Sequence, residues 1–370
     1  MKPGGDRRLR VLLATPLPPP FGGISAWTER VLGGPLGERF DIEVVDTSPP
    51  EKIAVSGESR FRARRAGASL WMLFRFMRAL RRHRPDVVHV NTSYLWALAR
   101  DGFFIRMAHR AGIPSVFHFH GGDLPESIEN SPGYLQAPIK KTLRQASALV
   151  ALTRHTHDYL EACAGVGRVH TLPNFVEMGA FRAMTRETRR DALPEVLFVG
   201  WILEAKGARE LLAAAHALPE ARFTLIGQIE PEFRATLSAD LEALSDRVTL
   251  LPPRPFSEVL PLYERADLFV LPTWREGFPI VVIEAMAAGL PVVSTPVGAI
   301  PEIVREGIDG LLVPPRDAQA LTQALAVLLG DPERRREMGL AGRERVEAHF
   351  TQEIVMAELE TLWCEVARSS

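Results

Sequence analysis

Cysteine is almost missing from this chain: Cys163 and Cys364 are the only two in 370 residues. Two thiols so far apart form neither a disulfide framework nor a metal site, so a reducing compartment is expected. No run of about 18 apolar residues occurs, which excludes a spanning helix. The start, Met1 to Arg8, lacks the apolar stretch of a secretory leader. Neither Asp-x-Asp, a spacing that suits a divalent cation, nor the dinucleotide fingerprint Gly-x-Gly-x-x-Gly is found. Charge of one sign is lacking too. The net charge of -1 gives no overall pull toward nucleic acid or a membrane. These absences predict a cytoplasmic protein with no metal cofactor and no nucleic-acid partner.

What is present is ordinary for a globular chain, with 46% hydrophobic and 24% charged residues. The length suits about two to three domains. Short apolar runs alternate with helical patterns, the mark of parallel doubly wound sheets. In the first half the strands are expected at Val11 to Thr15, Phe40 to Val45, Asp86 to Val90, Ser115 to His120 and Ala148 to Leu152, with Val169 to Asn174 closing it. Residues 176–194 are polar and read as a linker. The second half runs from Glu195 through strands at Arg222 to Gly227, Val248 to Leu251, Asp267 to Pro272, Pro291 to Thr295 and Leu311 to Val313. Helices are expected over about 317–348 and from Gln352 to Val366.

The densest local pattern is Glu276-Gly277-Phe278-Pro279-Ile280, which continues to Glu284-Ala285-Met286-Ala287-Ala288-Gly289. Buried strands flank it on both sides. A short helix lies between, with Pro279 in its first turn and Gly289 at its exit. Glu276 then falls in the strand-to-helix loop, and Glu284 about one and a half turns into the helix. The backbone amides of residues 277–280 would point out of the helix start, where a phosphate can bind beside a carboxylate that accepts hydroxyl hydrogens. An ordinary strand-helix turn with two surface glutamates is the plain alternative.

This stretch resembles the donor-site motif of the retaining glycosyltransferases of family 4, which have the GT-B fold. The resemblance implies that Glu276 contacts the donor sugar hydroxyls and that Glu284 contacts the ribose of the nucleotide. It implies two Rossmann-like domains facing across a cleft. Their expected extents are 1–175 for an acceptor-binding domain and 195–350 for a nucleotide-sugar domain. A last helix, 351–370, would return to the first domain. The resemblance is strong over about 195–315 and weak over 1–175.

Four further segments take meaning from it. Gly22 and Gly23, in the loop after the first strand, match a Gly-Gly loop at the donor site, and Ser25 could cap the following helix. Gly200-Trp201-Ile202-Leu203-Glu204-Ala205-Lys206-Gly207 resembles Gly-Arg-Leu-x-x-x-Lys-Gly, in which Arg and Lys neutralise the donor diphosphate. Lys206 matches the Lys, but Trp201 stands in place of the Arg. His120, before Gly121, matches a His near the reacting sugar, whereas His118 reads as a core residue. Pro173-Asn174-Phe175-Val176 resembles Pro-Asn-Gly-Val, so Asn174 would serve the hinge or the donor site. Arg254, in the loop expected to hold the base, is a candidate for the missing cation.

Between Arg60 and Arg84 lie nine arginines and no acid. Leu70, Trp71, Leu73, Phe74, Met77 and Leu80 recur there at helical spacing. Leu73, Phe74, Met77 and Leu80 are expected to cover the sheet, and an anionic membrane surface is the competing partner. The expected activity is retaining transfer of a sugar from a nucleotide-diphosphate sugar to a glycan or lipid-linked acceptor, without metal. His120, Glu276 and Lys206 would be catalytic. Gly22, Gly23, Arg254, Gly277, Phe278, Pro279, Ile280 and Glu284 would help to bind the donor. A nucleotide-sugar epimerase or phosphorylase on the same fold, and a non-catalytic sensor, remain open.

Overall fold

The computed structural model describes residues 7–18, 23–48, 60–93, 95–122, 124–184 and 193–369. The chain divides into two compact units: Met1–Pro173 together with Glu353–Ser370, and Asn174–Gln352.

The first unit is built on a parallel six-stranded sheet in the order β2-β1-β3-β4-β5-β6. Its strands are β1 (Arg10–Thr15), β2 (Asp41–Asp46), β3 (Val87–Thr92), β4 (Ser115–Phe119), β5 (Ala148–Ala151) and β6 (Val169–Thr171). Every residue of β3, β4 and β5 is buried, so apolar residues fall on both faces of these strands rather than on one, with His89, Asn91 and His118 among the buried polar exceptions. On one side Phe76 and Phe104 stack at 4.4 Å over the sheet core of Val88, Val90, Phe117 and Phe119. The C-terminal helix, Gln352–Arg368, belongs to this unit from Glu353 onward and buries Trp363 against Phe40 and His89.

The second unit has the order β12-β11-β10-β7-β8-β9, again parallel throughout. Here β7 is Glu195–Val199, β8 Arg222–Ile226, β9 Val248–Leu251, β10 Leu268–Leu271, β11 Val292–Ser294 and β12 Gly310–Leu312. In each sheet the winding direction reverses once, between β1 and β3 in the first and between β7 and β10 in the second. Loops at the carboxyl ends of such neighbours splay apart and leave a crevice, where open α/β sheets bind ligands.

Several expectations are corrected. Residues 176 to 184 are not a free linker. Val176 pairs with Thr351, and Phe181 is buried against Phe256 and Tyr263, because this stretch is apolar enough to pack on the second unit. The rest of the expected linker lies largely outside the described residues. Ser25 is buried and is the third residue of the helix Gly23–Gly33, not the residue that precedes it. The Arg-rich helix spans Arg60–His83, but its covering face is shifted. Among its described side chains, Met72, Phe76 and Ala79 are buried, at the i, i+4, i+7 spacing of one helical face, with Leu73 and Leu80 beside them. Phe74 and Met77 face solvent, at 57% and 39% exposure.

Candidate functional site

The site in the second unit grows from two loops at the carboxyl ends of β7 and β10, the pair at which the sheet reverses. After β7 the chain forms a short 3-10 turn, Glu204–Lys206, and then Gly207 starts the helix Ala208–Ala217. Gly207 has φ 75, and a Cβ there would lie 2.2 Å from the carbonyl oxygen of Pro272. Only glycine lets the two loops approach so closely. They are stitched together at Ala205, whose carbonyl accepts the backbone N–H of Trp274 at 2.9 Å. The indole of Trp274 donates to Glu210 in the next helix at 3.0 Å. Arg316 lies over the same indole ring at 4.3 Å.

That geometry brings Lys206 onto Glu276: the ammonium Nζ donates to Oε1 in a direct ion pair. Both side chains are mostly shielded, at 25% and 14% exposure, so the pair is screened less than a surface contact. The Glu276 loop is propped from below by Gly298, where φ is 57 and a Cβ would meet the Glu276 carbonyl oxygen at 2.1 Å. Ala299 also donates its N–H to the Gly277 carbonyl at 2.8 Å. On the other side Asn174 Nδ2 donates to the Phe278 carbonyl at 3.1 Å, which assigns Asn174 to this loop.

The helix that follows is Ile280–Ala287. Pro279 is its cap residue rather than part of its first turn. Gly289, with φ 73, makes the expected exit. Gly277, Phe278 and Ile280 thus line the loop and the helix start, where first-turn amides lack intrahelical partners. Glu284 is the fifth residue of the helix, about one turn in, rather than one and a half. It is buried, and Tyr263, itself fully buried, donates its hydroxyl to Glu284 Oε2 at 3.1 Å.

Two other expected residues are not part of this group. Arg254 lies in the loop after β9, at the sheet edge two strands from β7, about 10 Å away across the sheet. It pairs in solvent with Glu258 at 3.1 Å, as an arginine does with a glutamate one helical turn on. Trp201 is half exposed in the loop after β7, where the backbone N–H of Ile202 ties it to Gln228. Lys206 is therefore the cation that the structure joins to Glu276.

In the first unit Gly22 lies outside the described residues. Gly23 begins its helix, and a Cβ there would touch nothing among the described residues, so their packing does not demand glycine. His118 and His120 do share a strand face, with ring centres 4.0 Å apart. His118 is fully buried, and both its ring nitrogens lack partners. Burial holds His118 well below the usual imidazole range, with nearby His120 and His89 adding to the shift. His120 is partly exposed. Burial of its ring lowers it to about 3, with His89 as the lesser cause, so it is neutral at physiological pH. Among the described residues no group of three or more His, Cys, Asp or Glu side chains is arranged to hold a metal ion. No helix among them is long and apolar enough to cross a membrane.

Sequence reasoning missed Trp274, Tyr263 and Gly298. Trp274 sits two residues before Glu276, so its neighbourhood was a signal. Tyr263 and Gly298 carry none, because their roles depend on which helix or loop passes over them.

Comparison with known proteins agrees with the geometry. The description "Glycosyl transferases group 1" matches residues 193–331, and "Glycosyltransferase Family 4" matches residues 29–179. A D-inositol 3-phosphate glycosyltransferase of Nocardia farcinica is 30% identical over 311 residues, 75% of this chain and 67% of that protein. The chain spans about two thirds of the length of such curated relatives. Among solved structures, a sucrose-phosphate synthase from Thermosynechococcus elongatus superposes with a TM-score of 0.80 at 22% identity, over 98% of this chain and 100% of that one. The Anabaena protein HepE in complex with UDP and glucose gives a TM-score of 0.71 at 18% identity, over 96% and 99%. Two parallel sheets of this winding, the paired Lys206 and Glu276, and these matches make the chain a member of glycosyltransferase family 4, with the GT-B fold.

Proposed function

We propose that the protein transfers a glycosyl group from a nucleotide-diphosphate sugar, with retention of anomeric configuration and without a metal ion. The observation that carries this reading is the Lys206–Glu276 pair at the carboxyl ends of β7 and β10. As the bond from the sugar to the diphosphate breaks, negative charge grows on the leaving oxygen. A preorganised ammonium lowers the energy of that state more than that of the bound donor. Lys206 can exchange Glu276 for a phosphate oxygen. Glu276 can then accept hydrogen bonds from sugar hydroxyls, which fix the reacting carbon. The start of the helix Ile280–Ala287 offers further amides to the diphosphate. Glu284, oriented by Tyr263, would take the ribose hydroxyls, and His120 would meet a hydroxyl of the sugar or the acceptor.

The solved HepE complexes hold UDP and UDP-glucose, which makes uridine the first base to try. A thermal-shift panel of nucleotide sugars tests this reading. At a ligand concentration of about 100 times Kd, binding raises stability by about 2.7 kcal/mol. No shift with any nucleoside diphosphate or its sugars would contradict it. A second reading, a non-catalytic sugar-nucleotide sensor, rests on Trp201 in place of arginine. Release of nucleoside diphosphate together with a new glycoside rules it out; binding without turnover favours it.

Activity should persist in excess EDTA. The expectation rests on the lack of Asp-x-Asp and on Lys206 as the source of charge stabilisation. Full loss on chelation, restored by magnesium or manganese, would overturn metal independence.

The proposal extends to membrane association through the Arg-rich helix. Trp71 is 60% exposed, and Arg75 lies over its ring at 4.8 Å. Phe74, Arg78, Arg81 and Arg82 are exposed on the same helix. Each basic residue near an anionic surface contributes about 1 kcal/mol, in a field that salt screens. The protein should therefore sediment with vesicles rich in anionic lipid at low salt, and much less with neutral ones. Equal absence from both pellets would leave the helix as a solvated cover of the sheet.

A further inference from the structure

A chain of buried side chains in the first unit leads from the C-terminal helix to His120, and its hydrogen-bond directions can be worked out from one end. Trp363 is fully buried, and its indole Nε1 lies 2.9 Å from His89 Nδ1. An indole N–H can only donate, so His89 Nδ1 must accept. His89 is buried and lowered to about 4, chiefly by desolvation, so it is neutral and carries its proton on Nε2. That Nε2 lies 3.1 Å from Asn91 Oδ1 and donates to it. This fixes the amide orientation of Asn91, whose Nδ2 donates to Thr15 Oγ1 at 2.9 Å. Thr15 Oγ1 lies 2.6 Å from Thr28 Oγ1, which in turn donates to the Ile24 carbonyl at 2.9 Å. The same Asn91 Oδ1 lies 3.2 Å from His120 Nε2. An amide oxygen only accepts, so His120 must donate from Nε2.

We propose that Asn91 is a positioning residue which, locked by His89 and Trp363, fixes His120 as the Nε2–H tautomer and leaves Nδ1 to accept a hydrogen bond from a hydroxyl of the bound sugar or acceptor. This rests on the reading of His120 as a site residue given above. It adds that the His120 ring is an acceptor and not a donor, and that the C-terminal helix holds it so. Among the described residues, the titratable groups facing His120 are His89 and His118, both neutral.

Two measurements test it. Long-range proton–nitrogen NMR spectra of the whole protein labelled at histidine should show His89 and His120 both protonated on Nε2, with no titration near pH 6.5. A His120 proton on Nδ1 overturns the proposal without reference to activity. Kinetics supply the second arm. Asn91→Leu removes the shared acceptor and should lower kcat/KM about tenfold at every pH. Asn91→Asp keeps an acceptor for both rings but adds a negative charge, which raises the His120 pKa. Its activity should approach wild type at high pH and fall as pH drops through that raised value, because protonated Nδ1 no longer accepts. A loss of equal size and no pH dependence in both variants means that Asn91 is merely structural, and sinks the proposal. His120→Ala separates the parent reading: unchanged kcat/KM removes His120 from the site whatever its tautomer.

Discussion

Glu276→Ala should lower donor turnover by about 10³-fold while the melting temperature stays close to that of the native protein. The size of the effect follows from what the carboxylate does. In the proposed reaction it would accept hydroxyl hydrogen bonds that hold the reacting carbon, and before the donor binds it holds the Lys206 ammonium in place, so one truncation would remove both positioning and charge alignment. The small cost in stability follows from its place. Glu276 sits in a loop over β10, not in the core, and its deletion leaves a lysine that is still a quarter exposed to water. No core cavity forms and no charge is orphaned in a dry interior. Glu276→Gln, which keeps shape and one acceptor oxygen, should fall between the two. Unchanged kcat and KM in purified Glu276→Ala would remove this residue from the donor site.

Lys206→Ala should lower kcat by about 10²-fold, with a smaller change in KM for the donor. In the proposed reaction the ammonium would act most strongly where charge develops, on the leaving diphosphate, so its loss would fall on the transition state more than on the ground state. The backbone around it is set by Gly207 and by the Trp274–Ala205 hydrogen bond, not by the lysine side chain. The loop should therefore survive the change. A kcat at the wild-type level would mean that the diphosphate is neutralised elsewhere. Arg254 is a poor substitute because the structure pairs it with Glu258 at the sheet edge. Arg316, over the Trp274 ring, would then be the cation to test next.

The strands were legible in the sequence because buried parallel strands leave largely apolar runs, as at Leu268–Leu271 and Ala148–Ala151. The helix after Glu276 was legible because Pro279 and Gly289 each suit a particular backbone position, and one short helix satisfies both. The Arg-rich helix was not legible in detail. Apolar residues occupy every position from Leu70 to Phe74, so several faces fit the period, and packing chose the one with Met72, Phe76 and Ala79. The polar chain from Trp363 through His89 and Asn91 was hidden for another reason. Its members lie on β3 and on the last helix, 274 residues apart for the Trp363–His89 bond, and no local spacing announces such a contact. Within β3, His89 and Asn91 were a faint signal: two polar residues at alternate positions, on one face of a fully buried strand.

Calorimetric titration of UDP into the metal-free protein, beside the same titration into Lys206→Ala, tests the central claim most directly. Saturable binding to the wild type, weakened about tenfold or more in the variant, is expected because a charge-assisted hydrogen bond to phosphate is lost. Equal affinity in both proteins would contradict the assignment of the donor diphosphate to Lys206, and no binding to either would contradict the donor site itself.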